Sequence, residues 1–136
     1  QIKKLDKILD HRKNAYTELS NFFSNYSEWI ELPIKRNDVE TVWFAFPFFI
    51  KKNAPFKRKD LMIHFEKRNI QTRVVFTGNI TRQPGFRNIE HKIDQEGLDE
   101  SDSVMENGML IACHHGLNDE MINHIIESFK SFADRF

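Results

Sequence analysis

Residues 41–50, TVWFAFPFFI, constrain the fold more than any other segment. Aromatic and β-branched residues dominate, which favours an extended strand. Side chains along a strand alternate between two faces. Here Trp43, Ala45 and Phe49 occupy one face, and Phe44, Phe46, Phe48 and Ile50 the other. Both faces are apolar, so the strand requires cover on both sides. Pro47 has no N–H to give to a ladder, which places it at an edge position or a bulge.

The chain has 136 residues, enough for one domain with a core of its own. It contains thirteen phenylalanines, and each bulky ring needs somewhere to be buried. So small an interior has limited room, and some of the rings are expected to serve a partner surface. Formal net charge is zero, which gives no long-range attraction to nucleic acid or to an acidic membrane. The longest apolar run, 42–50, is too short to cross a bilayer, and no charged-then-apolar leader opens the sequence. The single Cys113 has no internal disulfide partner and points to a reducing, cytoplasmic setting. The first residue is Gln1 rather than Met, as expected of a trimmed product or a piece of a longer protein.

Periodicity sets out the rest. Ile2, Leu5, Leu9, Tyr16, Leu19, Phe22 and Phe23 recur at helical spacing and predict a helix over 1–27. It is long for so small a domain and suits a connector to a neighbour. Residues 31–40 read as a polar loop. After the aromatic strand comes a basic turn at 51–57, then a short helix over 58–68 with Leu61, Met62 and Phe65 inward and Asn69 as a left-handed cap. Residues 71–75 form a second strand, and 77–98 a long loop. Ser101 caps a short helix that runs to Asn107 and stops at Gly108. Residues 109–113 are a third strand. A final helix begins at Asn118 or the acidic pair after it, with Met121, Ile122, Ile125, Ile126, Phe129 and Phe132 as its stripe. The expected fold is therefore α/β (α+β), a small three-stranded, mainly antiparallel sheet with helices over one face.

Residues 70–86, IQTRVVFTGNITRQPGF, carry the strongest chemical pattern. Gly78 permits positive φ and close approach of a ligand to the backbone. Asn79 offers a donor and an acceptor suited to sugar hydroxyls. Arg73 and Arg82 can fork onto a carboxylate or phosphate. Gln83 adds another amide, and Pro84-Gly85 turns the chain back. The same residues also suit an ordinary surface loop with solvated arginines.

The other chemical candidates favour structural readings. Adjacent residues on a strand point to opposite faces, so His114 and His115 are poorly placed to clasp one metal, and local hydrogen bonds suit them better. His64 and His124 fall on helices and are expected to be exposed or half-buried. Cys113 lacks a glycine-bounded elbow and reads as a small buried residue. Asp99, Glu100 and Asp102 fit helix-end electrostatics. The basic residues of 51–59 read as a solvated turn. There is no phosphate-binding glycine loop, dinucleotide fingerprint or paired metal motif.

Trp43-Phe44 with Phe46-Pro47, then IQTRVVFTGNITRQPGF, then GMLIACHHGLNDE, together resemble the C-terminal small domain of the DegT/StrS family. These are fold-type I, pyridoxal-phosphate-dependent enzymes acting on nucleotide-linked sugars. The resemblance runs from about Trp43 to the end, with residues 1–27 similar to the interdomain connecting helix and 28–136 to the small domain. Arg73 with GNITRQP at 78–84 most resembles the 4-keto-6-deoxyhexose 3-dehydratases of lipopolysaccharide synthesis; the aminotransferases are the close alternative. The resemblance implies a parent whose large domain holds pyridoxal phosphate or pyridoxamine phosphate (PLP or PMP), and in some dehydratases an iron–sulfur cluster. It implies a homodimer and a nucleotide-linked deoxysugar substrate, contacted from this chain by Arg73, Phe76, Asn79 and Arg82. It implies no catalytic residue here, and an inactive isolated chain.

Two further readings stand beside it. The aromatic strand could be a stacking platform for single-stranded RNA, which the neutral charge disfavours. The chain could equally be a pure interaction domain whose aromatic face docks a protein.

Overall fold

The computed structural model describes residues 2–76, 78–93 and 97–136. Gln1, Thr77 and residues 94–96, which fall in the expected first helix and long loop, lie outside the described residues. The elements are α1 (Leu5–Ser24), β1 (Ile30–Glu31), β2 (Ala45–Ile50), α2 (Arg58–Glu66), β3 (Thr72–Val74), α3 (Asp99–Asn107), β4 (Gly108–Ala112) and α4 (Asp119–Ala133). Short 3-10 turns occur at Ile2–Lys4, Ile80–Arg82 and Pro84–Phe86.

The sheet has four strands in the order β1-β2-β4-β3, and every pairing is antiparallel. The sequence predicts three. The addition is β1, of which Ile30 lies between the predicted first helix and the polar loop and Glu31 opens that loop. They pair with Ile50 and Phe49, and a strand this short has no alternation to detect. Among the described residues no strand pairs with β2 at Pro47 on the β1 side, so the proline occupies a free edge, as its missing N–H requires.

Register divides the sheet into two faces. Phe46 is opposite Ile111, which is opposite Thr72; Phe48 is opposite Met109. With Ile50 these residues form the inner face, under α1, α2 and α4, and all are buried. Phe23 of α1 stacks on Phe46 and Phe48 at 5.5 and 5.0 Å and meets Phe129 of α4 edge-on at 4.9 Å. Ala15, Leu19 and Phe23, four residues apart, are the buried stripe of α1, so its second half belongs to this core. Arg12 ties the helix to two strand ends, donating from Nη1 to the carbonyls of Trp43 at 3.3 Å and Cys113 at 3.4 Å. Seven phenylalanines are buried: residues 23, 46, 48, 56, 65, 129 and 132.

The opposite face carries the row Pro47–Leu110–Arg73, with Ala45, Phe49 and Ala112. α3 packs against its β2 and β4 strands. Leu110, Ala45, Phe49 and Ala112 nevertheless stay half-exposed. Phe44, expected in an apolar strand face, precedes β2 and is 69% exposed.

Local chemistry explains the helix ends. The Asn118 side chain accepts from the Met121 N–H at 2.9 Å and starts α4. Asp60 accepts from the Lys57 N–H at 3.0 Å and starts α2. Asn69 takes φ 59 and ends that segment, as its residue type predicts. The Thr72 N–H and hydroxyl both donate to Glu66 Oε1, at 2.6 and 2.8 Å, which clips β3 back to α2. Met121, expected on the inward stripe of α4, is exposed, while Ile122, Ile125, Phe129 and Phe132 are buried. In α3, Ser101 lies two residues inside the helix, which begins at Asp99.

Candidate functional site

The loop after β3 is shaped by its conformationally permissive residues. Phe76 takes φ 45, a conformation uncommon outside glycine, and its ring is 83% exposed. Gly78 takes φ 62, and a Cβ built on it would lie 2.2 Å from Met105 Cβ and 2.5 Å from Met105 Cα. Glycine is required there because the loop backbone lies directly on α3.

Asn79 follows and is 2% exposed. Its Oδ1 accepts from the Thr81 N–H at 3.0 Å and the Thr81 hydroxyl at 2.7 Å, capping the 3-10 turn. Its Nδ2 donates to Asp102 Oδ1 at 2.8 Å. Arg82 grips the same carboxylate, Nη2 to Oδ2 at 2.6 Å and Nε to Oδ1 at 3.0 Å. These two donors hold the Asp102 carboxyl below its ordinary range, Arg82 first and Asn79 second. Asp102 lies in the first turn of α3, so the loop is fastened to that helix by an amide and a guanidinium. Arg58 secures the other end of α3. It is half-buried and donates from Nη1 to the carbonyls of Met105 at 2.7 Å and Gly108 at 3.0 Å.

The four residues singled out from the sequence therefore divide into two pairs. Asn79 and Arg82 build the loop. Arg73 and Phe76 are exposed, Arg73 on the face that also presents Leu110. The contribution of Asp102 was not visible in the sequence, where an acidic first turn is explained by the helix dipole alone. Arg58 corrects the reading of 51–59 as a wholly solvated turn, since nothing in a basic run identifies the member that will meet a helix end.

Of the remaining candidates, Cys113 and His64 are buried and His114 and His115 are exposed. Cys113 is fully buried, and burial pushes its thiol up to about 11, which makes it a poor nucleophile. His114 and His115 are exposed, and His114 Nδ1 accepts from the Gly116 N–H at 3.1 Å. His64 corrects the expectation of an exposed or half-buried ring: it is 4% exposed, because α4 packs across α2 there. Among the described residues no group of three or more His, Cys, Asp or Glu could hold a metal ion, and no helix is long and apolar enough to cross a membrane.

Among the described residues of this chain alone, none offers a Schiff-base site for pyridoxal phosphate. A Schiff-base lysine works from a desolvated position, and no described lysine is buried. Among the described residues the buried polar ones are His64, Thr72, Asn79 and Ser128, and each takes part in bonds that build the fold, Ser128 through its backbone carbonyl.

The sequence matches the DegT/DnrJ/EryC1/StrS aminotransferase family over residues 1–130. The chain belongs to that family. Within it, the chain is 31% identical over 133 residues to dTDP-4-dehydro-2,6-dideoxy-D-glucose 3-dehydratase of Saccharopolyspora spinosa, covering 98% of this chain and 28% of that protein. It is 27% identical over 132 residues to the lipopolysaccharide biosynthesis protein RfbH of Salmonella typhimurium strain LT2, covering 97% and 30%. Among solved structures, a putative sugar aminotransferase of Streptococcus pneumoniae in its PMP form superposes with a TM-score of 0.81 at 20% identity, covering 99% of this chain and 33% of that one. Dehydratases and aminotransferases of the DegT/StrS family thus both match, and neither branch stands apart. The chain spans about 30% of the length of the curated relatives it matches. Its fold is that of the small domain of fold-type I enzymes.

Proposed function

We propose that the chain acts as the small domain of a nucleotide-sugar 3-dehydratase of lipopolysaccharide deoxysugar synthesis. Residues 1–27 serve as the connecting helix and 28–136 as the small domain proper. The parent works in the cytoplasm as a homodimer, and its large domain holds PLP or PMP and, in some dehydratases, an iron–sulfur cluster. The observation that carries the reading is the 31% identity to a sugar 3-dehydratase across 98% of the chain. The half-exposed sheet face supports it, because Leu110, Ala45 and Phe49 are apolar groups that a neighbouring domain would cover.

In this reading the small domain closes over the sugar nucleotide and positions it. Arg73 pairs with an anionic group of the substrate, and Phe76 packs against it. Arg82 and Asn79 complete the substrate-facing loop from their bonds to Asp102. The Arg82 contact with Asp102 uses Nε and Nη2, so Nη1 is the donor it would turn to substrate.

The test uses the full-length parent. With a nucleotide-linked 4-keto-6-deoxyhexose, Arg73→Ala is expected to raise KM about tenfold, about 1.4 kcal/mol of binding, with the cofactor absorbance unchanged. An unchanged KM refutes the role of Arg73. A second reading, the small domain of a sugar aminotransferase, draws on the likeness to the Streptococcus pneumoniae protein. Formation of an amino sugar in place of a 3-deoxy product would decide for it.

A further inference from the structure

His64 is a buried titratable group that the proposed function does not use. Its Nε2 lies 2.8 Å from the Ser128 carbonyl oxygen, which can only accept, so Nε2 carries the proton. In the neutral ring Nδ1 is then an acceptor, and two guanidinium groups donate to it: Arg135 Nη2 at 3.0 Å and Arg68 Nη1 at 3.3 Å. Arg68 lies just beyond α2, and Arg135 lies in the turn after α4. One imidazole nitrogen thus joins the ends of two helices distant in sequence.

The surroundings reinforce this. Arg68 Nη2 donates to the Ser131 hydroxyl at 3.1 Å. Its carbonyl accepts from His124 Nε2 of α4 at 2.9 Å. The Arg135 guanidinium lies 5.5 Å from the centre of the Phe132 ring, and Phe136 packs on Phe56 at 5.5 Å. The charges acting on the His64 ring come from Arg68 and Arg135, with Lys67 beside them, and all are positive. Burial, then these cations, hold the ring below its ordinary 6.5 despite the bond to Ser128.

We propose that His64 is an acid-sensitive latch holding the turn at residues 134–136 against α2. Neutral, it accepts from both arginines. A proton on Nδ1 removes that acceptor and places a third positive charge between two others, so the turn lets go. The direction follows from linkage. The unfolded chain binds this proton more readily than the folded one, so the contribution of the latch is complete above 6.5 and falls as pH drops below it.

The experiment follows the His64 ring and the Arg135 and Phe136 signals of the full 136-residue chain by NMR from neutral pH downward. The expected result is a His64 midpoint below that of free histidine, with Arg135 and Phe136 moving along the same curve. Arg135→Gln removes one repelling cation, so the His64 midpoint should rise. His64→Gln keeps a neutral donor for Ser128 and should abolish the acid movement of Phe136, whereas His124→Gln should leave it. The proposal is overturned if His64 titrates at or above free histidine, if Arg135→Gln leaves its midpoint in place, or if Phe136 is released identically in His64→Gln. Should His64→Gln fail to fold, the Arg135→Gln titration decides alone.

Discussion

Arg82 and Asp102, twenty residues apart, share a two-pronged ion pair that binds the loop after β3 to the first turn of α3. Asn79 donates to the same carboxylate from the buried side. The Asp102 carboxyl is held low by both donors, so its contribution is complete above the ordinary 3.8 and is lost as pH falls below that value. Amide exchange of residues 78–86 should accelerate below pH 3.8 ahead of α1 and α4. Asp102→Ala should produce the same loosening at neutral pH. Equal protection in both proteins would show that the ion pair does not hold the loop.

Gly78→Ala should destabilise the domain by about 1–3 kcal/mol, because its positive φ is strained for alanine and its Cβ would meet the Met105 backbone. Gly85→Ala is the matched control: a Cβ there meets nothing within 4 Å, and the change should fall within about 0.5 kcal/mol. Urea unfolding midpoints of the two variants measure the difference.

Phe23→Ala should cost about 3–5 kcal/mol, since the ring is fully buried between β2 and α4. Phe44→Ala removes a ring of the same size from a position 69% exposed, and its cost should be near zero in the isolated chain. Thermal or urea denaturation compares them. In the two-domain enzyme of the proposed function, a loss on Phe44→Ala that is absent from the isolated chain would locate an interdomain contact.

Cys113 should resist thiol reagents in the folded chain. With the thiol pushed up to about 11, roughly one molecule in a thousand is thiolate at pH 8, and the sulfur is buried as well. Labelling by a chromogenic disulfide should be slow in buffer and fast in urea. Rapid reaction under native conditions would contradict the buried setting.

The parts of the fold readable in the sequence are those where one residue type or one period suffices. α4 follows from its apolar stripe and its Asn118 cap, and the left-handed Asn69 and Gly78 from their residue types. The apolar strand at 41–50 announced a sheet covered on both faces, and the structure leaves its outer face half-exposed apart from α3. β1 is not readable in the sequence, because two residues have no periodicity. The burial of His64 is not readable locally, because it depends on where α4 crosses α2, a relation between segments more than fifty residues apart.

The candidate site was legible as a composition and not as an arrangement. Residues 70–86 identified a loop rich in arginine and amide groups and, by resemblance, a family. Which of those groups face outward could not be read there. A guanidinium has the same formula whether it meets solvent, as Arg73 does, or a carboxylate twenty residues away, as Arg82 does. Local sequence determined helices, strands and turns, because backbone preference and side-chain period act over a few residues. Tertiary structure alone chose the partners, since a hydrogen bond or an ion pair forms only between groups that folding has brought within about 3 Å.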